Sequence, residues 1–254
     1  MQVPRTVQAI AVLVVLGALL LPSSAAAPSR PAHSIESFAA PRAGITKTTA
    51  LNWAGYYATG VDGSVSQITG TWTEPKVKCG KGPSMAVSWV GMDGVGSFTV
   101  EQTGTQVNCS GGVATYAAWY ELYPRPVKII SSLTVAAGDK VSASVSYVSG
   151  DFELTIEVAG HEYSKLASVS ADRSSAECIV ERAANSTGYE DLTNFGTFKF
   201  ASCKATFKGV AKGIGGFGAV GDVVMKDTDG HIIALPSTLN TSKDSFSISW
   251  KRSA

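Results

Sequence analysis

The sequence predicts an all-β fold built from antiparallel sheets, packed face to face as a sandwich or closed as a barrel. Three observations carry this. Apolar and β-branched runs are short, numerous and separated by turn residues. No long stretch repeats with the helical period of 3.6. Lys140 to Tyr147 alternates polar and apolar residues almost without exception, as a strand with one buried face does.

The expected strands follow in order. Asn52–Ala58, Ser64–Trp72, Met85–Met92, Phe98–Gln102 and Ala114–Tyr123 make the first group. Lys140–Val148, Phe152–Val158 and Ala176–Arg182 follow. Thr197–Phe200, Ala205–Lys208, Val223–Lys226, Ile232–Leu235 and Phe246–Trp250 complete the set. Val61-Asp62-Gly63, Ala137-Gly138-Asp139, Ser149-Gly150-Asp151 and Asp227-Thr228-Asp229-Gly230 are the turns between them.

The chain has 254 residues, and its start reads as a targeting segment. Arg5 supplies a basic flank, Ala9 to Leu21 an apolar run, and Ser23 to Ala27 a small-residue cleavage region. That pattern predicts a secretory signal peptide over 1–27. Residues 28–48 read as a leader or short propeptide, and 49–254 as one β domain. Beyond the signal no segment could span a bilayer, so a secreted, extracellular protein without a membrane partner is expected. With 21 basic and 20 acidic residues and no basic stripe, nothing suggests a nucleic-acid partner. A monomer is expected.

Cys79, Cys109, Cys178 and Cys203 form an even set in an oxidising compartment, which predicts two disulfides. Four cysteines allow three pairings. The expected one joins cysteines near in sequence, Cys79 with Cys109 and Cys178 with Cys203. No Cys-x-x-Cys pair or neighbouring His suggests zinc, so no metal or cofactor is expected. Gly213-Ile214-Gly215-Gly216-Phe217-Gly218 matches a dinucleotide fingerprint in form only, because a strand rather than a helix follows it. Asp227 and Asp229 read as a hairpin turn.

The candidate chemistry lies in three strands. Trp119, Glu121 and Tyr123 share one strand face, and Trp89 and Asp93 share a parity. Such a face makes a poor core and a good groove for a polymer. Glu177, Ile179 and Glu181 likewise share a face, which is either solvated or lines that groove. Neither His161 nor His231 sits beside a nucleophile motif, so a histidine-based triad is not expected. Carboxylates, amides and aromatics remain.

At these residues the chain resembles the eqolisins, the glutamic peptidase family. The landmarks are Asn52-Trp53-Ala54-Gly55, Gly70-Thr71-Trp72-Thr73, Ser88-Trp89-Val90-Gly91-Met92-Asp93-Gly94 and Gln102-Thr103-Gly104. Ala118-Trp119-Tyr120-Glu121, Ala176-Glu177-Cys178-Ile179-Val180-Glu181 and Asn194-Phe195-Gly196-Thr197 follow in family order. The resemblance implies a β-sandwich of the concanavalin A-like lectin/glucanase type and an acid-acting endopeptidase whose substrate is polypeptide. It implies Gln102 and Glu181 as the catalytic pair, and Trp89, Asp93, Trp119, Glu121, Tyr123 and Glu177 along the substrate cleft. A glycoside hydrolase on the same sandwich, or a non-catalytic secreted binding module, is the alternative. Two departures stand out. Gln106 and Ala117 occupy positions that are acidic in some fungal members. Cys178 replaces an aromatic or aliphatic residue, with a parity that points it away from Glu181.

Overall fold

The computed structural model describes residues 44–185 and 188–253. The expected signal peptide and most of the leader lie outside them. The first strands are β1 (Gly44–Ala50), β2 (Trp53–Thr59), β3 (Val65–Thr73), β4 (Ser84–Met92), β5 (Val100–Ser110), β6 (Val113–Tyr123) and β7 (Lys128–Ile129). Then come β8 (Lys140–Val148), β9 (Asp151–Val158), β10 (His161–Ala167), β11 (Ser175–Glu181), β12 (Ala184–Asn185) and β13 (Gly188–Tyr189). The last are β14 (Thr197–Phe207), β15 (Val210–Gly213), β16 (Ala219–Lys226), β17 (Ile232–Pro236) and β18 (Phe246–Trp250). No helix among the described residues is long and apolar enough to cross a membrane.

These strands make a sandwich of mainly antiparallel sheets. One sheet runs β7-β6-β5-β4-β11-β2-β16-β17-β18 and ends on the first half of β14. The other runs β10-β9-β8-β3 and ends on the second half of β14. β14 thus passes from one sheet to the other. The sequence pattern suggested two strands there, Thr197–Phe200 and Ala205–Lys208. A register shift between Ala201 and Lys204 breaks the alternation, and Ser202 takes a left-handed φ of 51°. A bulge of this kind bends a strand without ending it.

The main core lies between the sheets. Val90, Met92, Ala176, Cys178 and Val180 of the first sheet face Ile68, Trp72, Val141, Val145, Leu154 and Ile156 of the second. Both expected disulfides form. Cys79 bonds to Cys109, and Cys178 to Cys203, the latter joining β11 to β14 inside the core. Cys178 therefore shapes the core, as its parity required. Closing loops of 30 and 25 residues stabilises the fold by about 3–4 kcal/mol each on the chain-entropy account. Glu74 bridges the sheets as a polar contact: the Thr105 hydroxyl donates to its Oε2 at 2.6 Å and Trp72 Nε1 at 3.3 Å.

Strand pairing starts at Gly44, earlier than the expected Asn52. β1 runs parallel to β16, with Gly44 opposite Ala219 and Ala50 opposite Met225. Its side chains are mostly exposed, so backbone pairing holds it and no apolar pattern announced it. The glycine-rich loop is a 3-10 turn at Ile214–Gly216. A Cβ on Gly213 would meet the carbonyl oxygens of Ser242 and Lys243 at 2.5 Å, so its glycine serves close backbone packing. The 227–230 turn is held by Asp227, whose Oδ1 accepts from the backbone N–H of Asp229 at 3.0 Å and of His231 at 2.8 Å.

Candidate active site

Residues of opposite parity on the first sheet make a second apolar cluster. Trp53, Tyr57, Val87, Trp89, Val100, Trp119 and Ile179 belong to it. Trp53 and Trp89 meet edge to face, their ring centroids 5.1 Å apart, a favoured aromatic geometry. The backbone makes room for Trp89. Gly104 is its cross-strand neighbour. A Cβ on Gly104 would lie 2.0 Å from the Ser88 carbonyl oxygen and 2.8 Å from Trp89 Cα. A Cβ on Gly91 would lie 2.8 Å from the far edge of the Trp89 indole and 3.1 Å from Gln102 Cβ. The indole thus reaches along its strand towards Gln102, while its N–H turns the other way.

That N–H meets Glu181. Glu181 ends β11, opposite Val87 of β4 and Trp53 of β2. Trp89 Nε1 donates to its Oε2 at 2.8 Å, and Asn52 Nδ2 donates to its Oε1 at 3.2 Å. Donors on both oxygens fix the plane of the carboxyl group. Gln102 pairs directly with Glu121 across β5 and β6. Its Nε2 donates to Glu121 Oε2 at 2.6 Å, which settles the orientation of the amide. Gln102 Oε1 has no hydrogen-bond partner among the described residues, and one Nε2 hydrogen is left over.

The other cleft residues fall into place around this pair. Trp119 and Glu121 line an apolar recess with Met85, Val87, Val127 and Ala183, two residues beyond Glu181. Gln106 lines it too and puts a neutral amide at its wall. Tyr123 is half-buried at the end of β6. A larger groove of ≈ 1040 Å³ lies on the second sheet between β3, β8 and β14, and holds none of these residues.

Asp93 and Glu177 are fully buried, as Gln102 and Glu181 are. Asp93, at a left-handed φ of 68°, accepts from the Arg173 N–H at 2.7 Å and the Ser174 N–H at 2.8 Å. It ties the β4–β5 loop to the segment before β11. Among the described residues, neither carboxylate oxygen of Glu177 or of Glu101 meets a hydrogen-bond partner. Burial pushes Glu101 up to about 9, with the Asp93 charge adding to it. Burial likewise raises Glu177 well above the usual range, with Asp93 and Glu101 contributing. Burial raises Asp93 against its hydrogen bonds, and raises Glu74 to about 7. Burial first and then the charge of Glu177 push the Tyr57 hydroxyl up to about 12.

These acids predict a stability profile. Each holds its proton more tightly folded than unfolded, so stability is fully present below the unfolded value near ~4.3. It is lost as pH rises through the folded values, about 7 for Glu74 and about 9 for Glu101. Urea midpoints should fall steadily from pH 4 to pH 9. A midpoint that rises across that interval would contradict the assignment of these acids as protonated in the fold.

Sequence reasoning singled out Gln102, Glu181 and the cleft residues but not Asn52, Tyr57, Glu74, Glu101, Arg173 or Ser174. Asn52 was part of a landmark, but nothing in the sequence said that its side chain turns back to a strand 129 residues away.

The comparisons with known proteins bear on this geometry. The model of the peptidase A4 family matches residues 51–250. The chain belongs to that family, the eqolisins. Among solved structures, scytalido-glutamic peptidase with a peptide-based transition-state analogue is 26% identical with a TM-score of 0.67. That alignment covers 80% of this chain and 100% of the other. SCP-B, an eqolisin in complex with the tripeptide Ala-Ile-His, is 25% identical with a TM-score of 0.65, covering 80% and 100%. Aspergilloglutamic peptidase from Aspergillus niger is 27% identical with a TM-score of 0.57, covering 66% and 99%. A search of curated proteins returns no match. This eqolisin is thus a glutamic endopeptidase on a β-sandwich, as its sequence landmarks implied.

Proposed function

We propose that the protein is a secreted, monomeric, acid-acting endopeptidase in which Glu181 and Gln102 carry out peptide hydrolysis with a single water. The observation that supports this most is the pairing of each group with its own orienting partner. Trp89 holds Glu181 and Glu121 holds Gln102, all on the same cleft face of the sheet.

Glu181, as carboxylate, takes a proton from the water as its oxygen attacks the scissile carbonyl carbon. The free Gln102 carbonyl oxygen holds that water, and the remaining Gln102 N–H donates to the oxyanion that develops. Glu181 then gives its proton to the leaving nitrogen as the C–N bond breaks. The Trp119 ring and the recess beside it offer apolar surface to substrate side chains.

The test is digestion of denatured casein or haemoglobin from pH 2 to pH 8, with product masses read out. Internal cleavage with an acid optimum is expected. Serine-directed phosphonyl reagents, thiol alkylators, pepstatin and chelators should leave it intact, because neither a histidine triad, a free thiol nor a metal takes part. Complete loss with a chelator would place the chemistry on a metal and overturn the reading.

A further inference from the structure

We propose that Asn52 is a positioning residue for peptide hydrolysis, holding the Glu181 carboxylate in register with the substrate through its side-chain amide. This rests on the dyad reading above and adds a residue to it. The geometry is built from both sides. The backbone carbonyl of Asn52 accepts the Arg182 N–H at 2.8 Å, and the Arg182 guanidinium donates to the Leu51 carbonyl at 3.3 Å and, through Nε, to the Glu190 carbonyl at 2.9 Å. The residue before β2 is thereby locked to the residue after the catalytic glutamate. The Asn52 amide then reaches Glu181 Oε1 at 3.2 Å.

Trp89 grips only the other oxygen. The Asn52 amide, from the segment before β2, holds Oε1 as the Trp89 N–H, from β4, holds Oε2, so each oxygen of the carboxyl group has its own donor and the group is kept in register with the water. Asn52 is half-buried, at the solvent side of the pair, whereas Trp89 is fully buried beneath. Glu121 faces the site across the recess from β6, Arg182 turns its charge away to the Leu51 and Glu190 carbonyls, and β2 and β4 present Trp53, Val87 and Trp89.

The test uses the mature enzyme and three variants, Asn52→Ala, Asn52→Asp and Glu181→Gln, with kcat and KM measured on one peptide from pH 3 to pH 6. Asn52→Ala should lower kcat by ~10–100-fold, the range for a hydrogen bond to a charged group, with KM within about twofold. Asn52→Asp keeps the shape. In acid the new carboxyl is protonated and still donates to Glu181, so its kcat at pH 3 should recover towards the parent. At pH 6 it sets a like charge beside Glu181, and kcat should fall to the level of the alanine variant or below. That crossing is not something a packing defect would produce, and the isosteric variant keeps the test alive if the alanine variant does not fold. A raised KM with unchanged kcat would make Asn52 a substrate contact and overturn the proposal. So would unchanged rates, or an Asp variant that follows the Ala variant at every pH. An active Glu181→Gln enzyme would instead sink the dyad reading, and the Asn52 role with it. An inactive Glu181→Gln beside parental Asn52 variants would sink only the latter.

Discussion

Replacing Glu181 by Gln should lower peptide turnover by at least ~10²-fold, the low end for general acid–base catalysis, while leaving the fold intact. The substitution keeps volume and shape. One terminal atom still accepts from a neighbour, so the Trp89 N–H or the Asn52 amide retains a partner. What disappears is the capacity to take and return a proton. No other described carboxylate can take over from the same place. Glu177 lies four residues back along β11, two same-face rows away, opposite Gly91 and Tyr57. Glu121 is hydrogen-bonded to the Gln102 amide. Single-turnover cleavage by purified, folded Glu181→Gln enzyme measures the effect, and a near-parental rate would assign the base elsewhere.

The second large effect is expected at Gln102. Gln102→Ala removes the donor to the oxyanion and the acceptor for water together. Loss of one oxyanion donor alone typically costs ~10²–10³ in rate. The substitution also removes the 2.6 Å bond that the amide donates to Glu121. Because the lost contacts form in the transition state, the fall should sit in kcat, with KM little changed. Parallel measurements of kcat and KM check this, and a rise in KM alone would mark Gln102 as a binding residue.

Much of this site was legible because strand parity is rigid. Trp119, Glu121 and Tyr123 had to share a face, and Cys178 had to point away from Glu181. The structure places them so, with Cys178 in the core bonded to Cys203. What was not legible depends on contacts between distant segments. β1 is an exposed edge held by backbone pairing, with no apolar period to betray it. The break in β14 read as a turn because a bulge and a turn interrupt alternation alike. β5 continues to Ser110 beyond the expected Gln102, since Gly104 and the polar Thr105, Gln106 and Asn108 weaken its pattern. Gly104 is there because of the indole opposite, which only the fold reveals. The burial of Asp93, Glu101 and Glu177 is of the same kind: how fully each acid is covered depends on the loop and strand packed around it.

The neutral amide at Gln102 is the feature that separates this chemistry from a pair of carboxylates, and Gln102→Glu tests it most directly. The change keeps the shape of the side chain. Once ionised, the new carboxylate has no proton to donate to the oxyanion, and it faces Glu121 at hydrogen-bond distance and adds negative charge to the site. Protein cleavage should be measured for the parent and the variant from pH 2 to pH 6 on the same denatured substrate. The account predicts that the variant cleaves only at the acid end, where the new carboxyl is protonated and can donate, and that its turnover collapses as the pH rises. Parental turnover across the whole range would contradict the Gln/Glu dyad.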